Sequence, residues 1–202
     1  MEYLFLIVIL LFSIIIHEVA HGSVANLLGD PTAKLAGRLT LNPIKHLDMF
    51  GSFLLPLFLI VLRSPVLFGW AKPVPINPYN FRNPKRDGAK VAVAGPFANI
   101  LIALTFGLAI RFFPLPDSLL TVFSIIVIIN LVLAIFNLVP IPPLDGSHIL
   151  FNFLPESLAG LKSFLRQFGI FILFLFIFFG LHWVFVAVAQ LHYFITGYHF
   201  II

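Results

Sequence analysis

Long runs of apolar residues, separated by short polar stretches, dominate the pattern of this chain. A helix needs about 20 consecutive, mostly apolar residues to cross the hydrocarbon core of a bilayer. Four runs reach that length: residues 3–28, 88–112, 118–139 and 168–190. The pattern therefore predicts an all-α, polytopic membrane protein with about four full transmembrane helices.

The segments between the first two runs predict shorter elements. Residues 32–49 are polar, and the weak alternation in LAGRLTLN indicates a short β element after the first helix. Residues 50–62 are apolar but too short for a full span, and they contain Pro56, so we expect a re-entrant segment there. A loop rich in Pro and Asn is predicted over residues 63–87.

The C-terminal part predicts an interfacial helix before the fourth span. This helix covers residues 148–166 and carries Lys162 and Arg166. The path of residues 187–202 stays open, because the sequence is compatible both with a continued helix and with a chain that folds back.

Composition favours a single membrane-embedded domain. Sixty per cent of the residues are hydrophobic, 10% are charged and the mean hydropathy is +1.08, whereas a soluble domain needs more charge at its surface. We expect one domain over residues 1–202, with a core at 1–155 and a C-terminal interfacial helix and span at 148–202. The chain has no cysteine, which excludes disulfides and thiolate metal sites.

Basic residues are unevenly distributed along the chain. Nine of the twelve Lys and Arg lie between Lys34 and Lys90, and in a membrane protein such clustering indicates orientation, by the positive-inside rule. No basic helix or aromatic platform accompanies them, so we expect the lipid bilayer and no nucleic acid as a partner. The sequence leaves the oligomeric state open.

The first apolar run contains the motif His-Glu-Val-Ala-His at residues 17–21. Residues four apart on a helix share one face, so His17 and His21 can reach one Zn²⁺ ion. Glu18 then projects beside the metal, where it can act as a general base. The motif can also occur by chance on a surface helix. Burying two His and a Glu in an apolar helix is costly, however, and a bound cation accounts for that cost.

Asp145 is the acidic residue that best fits a third ligand, since a catalytic zinc site has three protein ligands and one open position. It follows an apolar span through a Pro-rich, non-helical stretch. Irregular backbone at membrane depth is tolerated where it lines a site. Asp145-Gly146 could also form an ordinary turn, but together with the H-E-x-x-H motif the ligand interpretation is favoured.

Three motifs in order resemble the site-2 protease family of intramembrane metalloproteases: HEVAH, GPFAN at residues 95–99 and NLVPIPPLDG at residues 137–146. The stretches GRLTLNPIKHLD and FGWAKPVPINPYNFRNPKRD are similar to the bacterial branch without a PDZ domain. The resemblance covers most of residues 1–155. It implies a zinc metalloendopeptidase, with one Zn²⁺ per chain, that hydrolyses peptide bonds in the transmembrane segments of protein substrates.

The resemblance also implies a role for each site residue. The implied zinc ligands are His17, His21 and Asp145. Glu18 is the expected base, and Asn137 is expected to bind the substrate backbone or the oxyanion. Asn99 is expected to support the site, and Pro140 and Pro142 to support the site or the bound substrate.

Geometry and charge together predict the topology. The metal lies near the far end of the first helix, and Asp145 must reach the same depth. The first helix and the span 118–139 must then exit on one face, which requires residues 50–62 to dip into the membrane and return. That arrangement places eleven of the twelve Lys and Arg on one face, with Arg111 opposite. We therefore expect a cell-membrane protein with its N-terminus outside and its active site toward the cytoplasm.

A transporter is the alternative interpretation of the same cluster. Intramembrane His, Glu and Asp residues also mark the pathways of metal ions and protons. Transporters are often built from repeated halves, and this sequence has neither a repeated half nor a second set of polar positions in its spans. The protease is therefore the favoured prediction, with substrate identity and regulation left open.

Overall fold

The computed structural model describes residues 2–54, 57–58, 61–62 and 72–199, and none of these residues forms a strand. Its helices are α1 (Glu2–Leu27), α2 (Thr32–Leu35), α3 (Pro84–Phe112), α4 (Asp117–Leu138), α5 (Asp145–Phe153), α6 (Ala159–Phe179) and α7 (Leu181–Thr196). Short helical turns lie in the connecting segments at Pro43–His46, Met49–Leu54, Pro78–Asn80 and Glu156–Leu158.

Four helices among the described residues are long and apolar enough to cross a membrane: Phe5–Leu27, Pro84–Phe112, Asp117–Leu138 and Glu156–Phe179. The protein is therefore a multi-pass membrane protein, as predicted. Its second span begins at Pro84 rather than at residue 88. The Asn83 side chain accepts a hydrogen bond from the backbone nitrogen of Arg86, and Pro84 occupies the first helical position, so both residues favour the earlier start.

Helices α1, α3 and α4 lie side by side, and α3 runs antiparallel to the other two. Ser13 of α1 lies level with Asn99 of α3 and Asn130 of α4. Roughly two turns further along α1, His21 contacts Val91 of α3, so residue numbers fall along α3 as they rise along α1. Asp145, which follows the end of α4, lies beside His21, so α4 runs in the same direction as α1. The first and third spans therefore end on one face, which agrees with the predicted parity.

The apolar core lies between α3, α4 and α7. Its buried residues are Ala103, Ile110, Val127, Leu131, Val184, Val188 and Ile195. The last turns of α7 reach the end of α3: Arg111 donates a hydrogen bond to the carbonyl oxygen of Phe194 at 2.7 Å. Gly107 faces Ile195 so closely that a Cβ atom on it would lie 2.5 Å from the Ile195 Cγ2 atom.

The predicted interfacial helix 148–166 and the predicted span 168–190 are wrong in their boundaries. Pro155 follows the end of α5 at Phe153, and α6 then runs without interruption from Ala159 to Phe179. The break falls at Gly180, where a side chain would collide with the ring of Phe176. Within the open C-terminal path of residues 187–202, the described part continues α7, which ends at Thr196 and is followed by Gly197 with φ of 80°. Residues 200–202 lie outside the described part of the chain.

The predicted β element after the first helix is also wrong. Residues Thr32–Leu35 form a helical turn, and Gly37 follows with φ of 64°, a left-handed conformation that ends an extended run. Asn42 then accepts a hydrogen bond from the backbone nitrogen of Ile44 and caps the turn Pro43–His46. The apolar residues of LAGRLTLN therefore do not form one buried face: Leu35 is 82% exposed and Leu41 is 53% exposed.

The predicted re-entrant segment 50–62 lies partly outside the described residues. Within the described part, Met49–Leu54 forms a short helical turn, and Asp48 accepts hydrogen bonds from the backbone nitrogens of Phe50 and Gly51 at its start. Residues 55–56, 59–60 and 63–71 are not described, so re-entry stays a prediction.

Candidate metal centre

Helix α1 places His17 and His21 on one face, one turn apart. Both side chains are buried, with 6% of each residue exposed. Their ring centroids lie 4.7 Å apart, and their Nε2 atoms are 3.1 Å apart. The two imidazoles therefore face a common point, as helical spacing requires.

Asp145 begins α5 and brings a carboxylate to the same point. Its Oδ2 atom lies 3.1 Å from His17 Nε2 and 3.2 Å from His21 Nε2. In tetrahedral zinc sites, bonds of about 2.0–2.1 Å place neighbouring ligand atoms roughly 3.3 Å apart. The three donor atoms have nearly this spacing, and their types suit zinc, so the residues fit the ion. Among the described residues, His17, His21 and Asp145 form the group that could hold a metal.

The other nitrogen of each imidazole has its own partner. His17 Nδ1 lies 2.5 Å from Asn99 Oδ1, and His21 Nδ1 lies 2.6 Å from the carbonyl oxygen of Val91. Both partners accept hydrogen bonds, so each Nδ1 carries the proton and donates it. Each Nε2 lone pair is then free to face the metal position, the arrangement usual for histidine ligands.

Asn99 is itself held by a buried polar network that reaches α4. Its Nδ2 atom donates to Asn130 Oδ1 at 2.8 Å, and Asn130 in turn donates to Ser13 Oγ at 3.0 Å. Both asparagines are completely buried. Sequence analysis expected Asn99 to support the site but missed Asn130, which stands out as a polar residue within an apolar span.

Two glycines allow the elements of the site to approach. A Cβ atom on Gly95 would lie 2.4 Å from His21 Nε2, and one on Gly146 would lie 2.2 Å from the carbonyl oxygen of Leu138. Gly95 therefore brings the backbone of α3 against the imidazoles, and Gly146 lets α5 start against the end of α4. The sequence placed both in motifs without revealing these contacts.

Glu18 lies beside the ligands in an open cavity. The cavity has a volume of about 370 Å³, and its lining includes Glu18, His21 and Asp145. The Glu18 Oε2 atom accepts a hydrogen bond from the backbone nitrogen of Val74 at 2.7 Å. This contact fixes the carboxylate beside the metal position, and sequence analysis did not predict it.

The segment that carries Val74 is anchored by Asp30, which lies between α1 and α2. Asp30 is fully buried. Its carboxylate accepts hydrogen bonds from the backbone nitrogen of Asn77 and from Asn80 Nδ2, both at 2.7 Å, and also from Thr32. Burial raises the pKa of Asp30, but these hydrogen bonds outweigh burial and hold the pKa below its usual value.

The structure places the remaining predicted residues near the end of α4. In the described contacts, Asn137 Nδ2 donates to the carbonyl oxygen of Leu133 within its own helix, at 2.9 Å. Pro140 is exposed. Pro142 packs against α6, where a Cβ atom on Gly169 would lie 2.6 Å from the Pro142 Cβ atom. The structure thus brings the His17, His21 and Asp145 side chains together, while Asn137 hydrogen-bonds to its own helix.

Comparisons with known proteins agree with this chemistry. The sequence model of peptidase family M50 matches residues 113–179. A Bacillus subtilis protein named "Putative zinc metalloprotease YwhC" is 40% identical over 183 residues, covering 86% of this chain and 80% of the relative. No solved structure gives a significant match.

More distant relatives carry similar names. A Mycobacterium tuberculosis protein named "Putative zinc metalloprotease Rip2" is 32% identical over 187 residues, covering 87% of this chain and 70% of the relative. A Methanocaldococcus jannaschii protein named "Zinc metalloprotease MJ0392" is 23% identical over 158 residues, covering 78% of this chain and 37% of the relative.

Proposed function

The chain belongs to peptidase family M50, the site-2 protease family, and from this premise we propose that it is a zinc-dependent endopeptidase that cleaves the transmembrane segments of other proteins. The observation that carries the proposal is the convergence of His17 and His21, in the second half of the apolar helix α1, with Asp145 at the start of α5. The whole chain acts as one membrane-embedded domain in this proposal.

The proposed ligands of a single zinc ion per chain are His17, His21 and Asp145. When bound, zinc polarises the scissile carbonyl and lowers the pKa of water toward about 7. Asn99 holds the proton on His17 Nδ1 through the hydrogen bond described above. The protein thereby keeps the Nε2 lone pair available without having to reorganise the ring.

Glu18 is the proposed general base. Its carboxylate lines the cavity beside the ligands, and the Val74 N–H group orients it. Glu18 accepts the proton from the attacking water and then transfers it to the leaving amine, so its charge is restored at the end of the cycle. Asn137 remains the proposed donor to the substrate backbone or the oxyanion, and Pro140 and Pro142 the proposed support of the bound substrate.

The proposed substrate is a membrane-spanning helix that unwinds locally at the site. Carbonyl groups in a helix already accept hydrogen bonds and are sterically shielded, so a cleavable segment must become extended. The proposed location of the site is toward the cytoplasmic side of the cell membrane, supported by the basic residues around the start of α3. The transporter alternative is not favoured, because the relatives carry the names of metalloproteases.

Reconstitution with Glu18→Gln tests the proposal. Purified protein in liposomes is incubated with single-span model substrates, and fragments are mapped by mass spectrometry. Gln keeps an oxygen acceptor for Val74 N–H but cannot take a proton. We therefore expect cleavage to fall by about 10²–10⁴-fold with zinc content unchanged. Cleavage by the Gln variant at the normal rate, or cuts confined to soluble segments, would contradict the proposal.

A further inference from the structure

A second cavity adjoins the proposed active site. It has a volume of about 480 Å³ and lies between the start of α3, α5 and the first turns of α6. Three residues, Pro78, Gly88 and His148, line both this cavity and the one that contains Glu18. The peptidase chemistry described above uses none of the charged residues of the second cavity.

Three cationic side chains and one carboxylate line this cavity: Lys85, Lys162, Arg166 and Glu156. The carboxylate contacts Lys85 and lies 3.8 Å from the Lys162 ammonium group. The side chains of Lys85 and Glu156 are 70% and 72% exposed, so water screens their pairing. The cavity therefore retains an excess of positive charge.

Lys162 is the most enclosed of these cations. Only 12% of its side chain is exposed, and its carboxylate neighbour is largely in water. Arg166 lies one turn further along α6, on the same face. Its guanidinium carbon sits 5.2 Å from the centroid of the Phe151 ring, which holds the charged group at the cavity wall. Two cations are thus fixed side by side and open to an anionic ligand.

The position of the cavity relates it to the bilayer. From Phe168 onward, the exposed residues of α6 are apolar, with Phe168 at 43% and Phe171 at 63%. Lys162 and Arg166 therefore stand where an apolar, lipid-facing surface meets a polar one. Phospholipid phosphates lie at this level, and basic pockets between membrane helices bind anionic head groups.

We propose that this cavity binds the phosphate-bearing head group of an anionic phospholipid from the surrounding leaflet. Its volume lies within the range of about 300–1,000 Å³ that is usual for small-molecule sites, and a head group can occupy it. A carboxylate side chain from a polypeptide would fill only a small part of this space. The lipid would sit beside the active-site cavity and share the wall formed by His148 and Gly88.

Native mass spectrometry of the full chain in detergent tests the proposal. Delipidated protein is titrated with phosphatidylglycerol, with phosphatidylcholine and with inorganic phosphate. The wild type is expected to bind phosphatidylglycerol in preference to phosphatidylcholine. Each cation near an anionic head group contributes about a fivefold gain in affinity, so Lys162→Ala with Arg166→Ala should weaken binding roughly 10- to 30-fold.

Two further double variants serve as controls. Lys34→Ala with Lys45→Ala removes two exposed cations outside the cavity and should bind phosphatidylglycerol like the wild type. Lys162→Arg with Arg166→Lys keeps both charges and should also retain binding. Circular dichroism checks that each variant is folded.

Three results would overturn the proposal. One is equal binding of phosphatidylglycerol by the wild type and the double alanine variant. Another is displacement of the lipid by millimolar inorganic phosphate, which would identify a free-phosphate site. The third is altered peptide cleavage by the Lys162→Ala, Arg166→Ala double variant with unchanged lipid binding, which would identify a site for an acidic polypeptide segment.

Discussion

Gly95 lies directly beside the two imidazoles that face the metal position. A Cβ atom there would lie 2.4 Å from His21 Nε2 and 2.6 Å from His17 Nε2. Atoms that are not bonded do not approach so closely, so a side chain at this position must displace the rings. In the proposed metal centre these two nitrogen atoms hold the ion, so the account predicts that zinc binding requires glycine at this point of α3.

Gly95→Ala is expected to weaken zinc binding by about tenfold or more, because the methyl group displaces both ligand rings. The measurement is a competition titration with a chromogenic zinc chelator. Gly88→Ala is the matched control, since it lies in the same helix and a Cβ there meets nothing within 4 Å. Equal zinc affinity in the two variants would show that α3 does not approach the ligands in this way.

Single residues differ in how far the sequence reveals their roles. His17 and His21 could be predicted because helical spacing alone places them together. Asp145 was predicted as the acid that follows a broken span. The roles of Asn130 and Val74 depend on contacts between distant segments, Asn99 with Asn130 and Glu18 with Val74. No local pattern encodes such pairs, although a lone polar residue in an apolar span is a useful signal.

At the level of helices and loops, the segment of residues 72–83 forms one wall of the cavity beside Glu18. Arg38 Nη2 donates to the carbonyl oxygen of Lys72 at 2.5 Å, and Asp30 accepts from Asn77 and Asn80. Between these anchors, Val74 donates to Glu18. Asp30 holds the segment whose Val74 N–H group orients Glu18, the proposed base. It therefore serves as a positioning residue.

Asp30→Asn is expected to loosen residues 72–83, because the amide replaces an acceptor oxygen with an NH₂ group facing N–H donors. The cost should be about 1–3 kcal/mol. Hydrogen exchange of this segment measures the effect, and peptide cleavage should slow because Glu18 loses its fixed orientation. Asp117→Asn, at an exposed residue at the start of α4, should leave exchange and cleavage unchanged. Equal exchange in both variants would show that the Asp30 carboxylate does not hold residues 72–83 in place.

The hydrogen bonds of the Asp30 carboxylate also predict that the stability of residues 72–83 depends on pH. Hydrogen bonding holds the pKa of Asp30 below its usual value, so the folded state favours the carboxylate. The stabilisation is then fully present above the unfolded pKa of about 3.9. It is lost as the pH falls through the lower folded pKa. The measurement is hydrogen exchange of residues 72–83 in the wild type and in Asp30→Asn. The slower exchange of the wild type should disappear under acidic conditions, where Asp30 is protonated.

Element boundaries were predictable where apolar length alone decides them. The first and third spans match the structure closely, since each is a continuous apolar run between polar ends. The prediction failed where one residue redirects the chain, as at Gly37 in the predicted β element and at Gly180 within the predicted fourth span. Composition around these glycines does not indicate whether the chain continues, turns or breaks.

The arrangement of the whole molecule determines which side of the membrane the site faces. Helices α1 and α4 run in parallel with α3 between them in the opposite direction, so the metal position lies toward one end of the bundle. The start of α3 and the loop before it carry basic residues at that end, and Arg111 lies at the other. The proposed orientation follows from this asymmetry by the positive-inside rule.

Cysteine labelling can test this orientation, because the natural chain contains no cysteine. Tyr79→Cys and Phe113→Cys introduce thiols at exposed residues before and after α3, where Tyr79 is 94% exposed and Phe113 65% exposed. An impermeant maleimide applied to intact cells should label the residue at position 113 alone. After the cells are opened, it should label both. Labelling at position 79 from outside would reverse the proposed topology.

Zinc titration of the purified wild type and of Asp145→Asn is the most direct test of a metal held jointly by α1 and α5. The wild type should bind one zinc ion per chain. Asp145→Asn loses a ligand charge and should bind zinc at least about 100-fold more weakly, whereas Asp117→Asn should match the wild type. Wild-type zinc affinity in a folded Asp145→Asn variant would contradict the proposed metal centre.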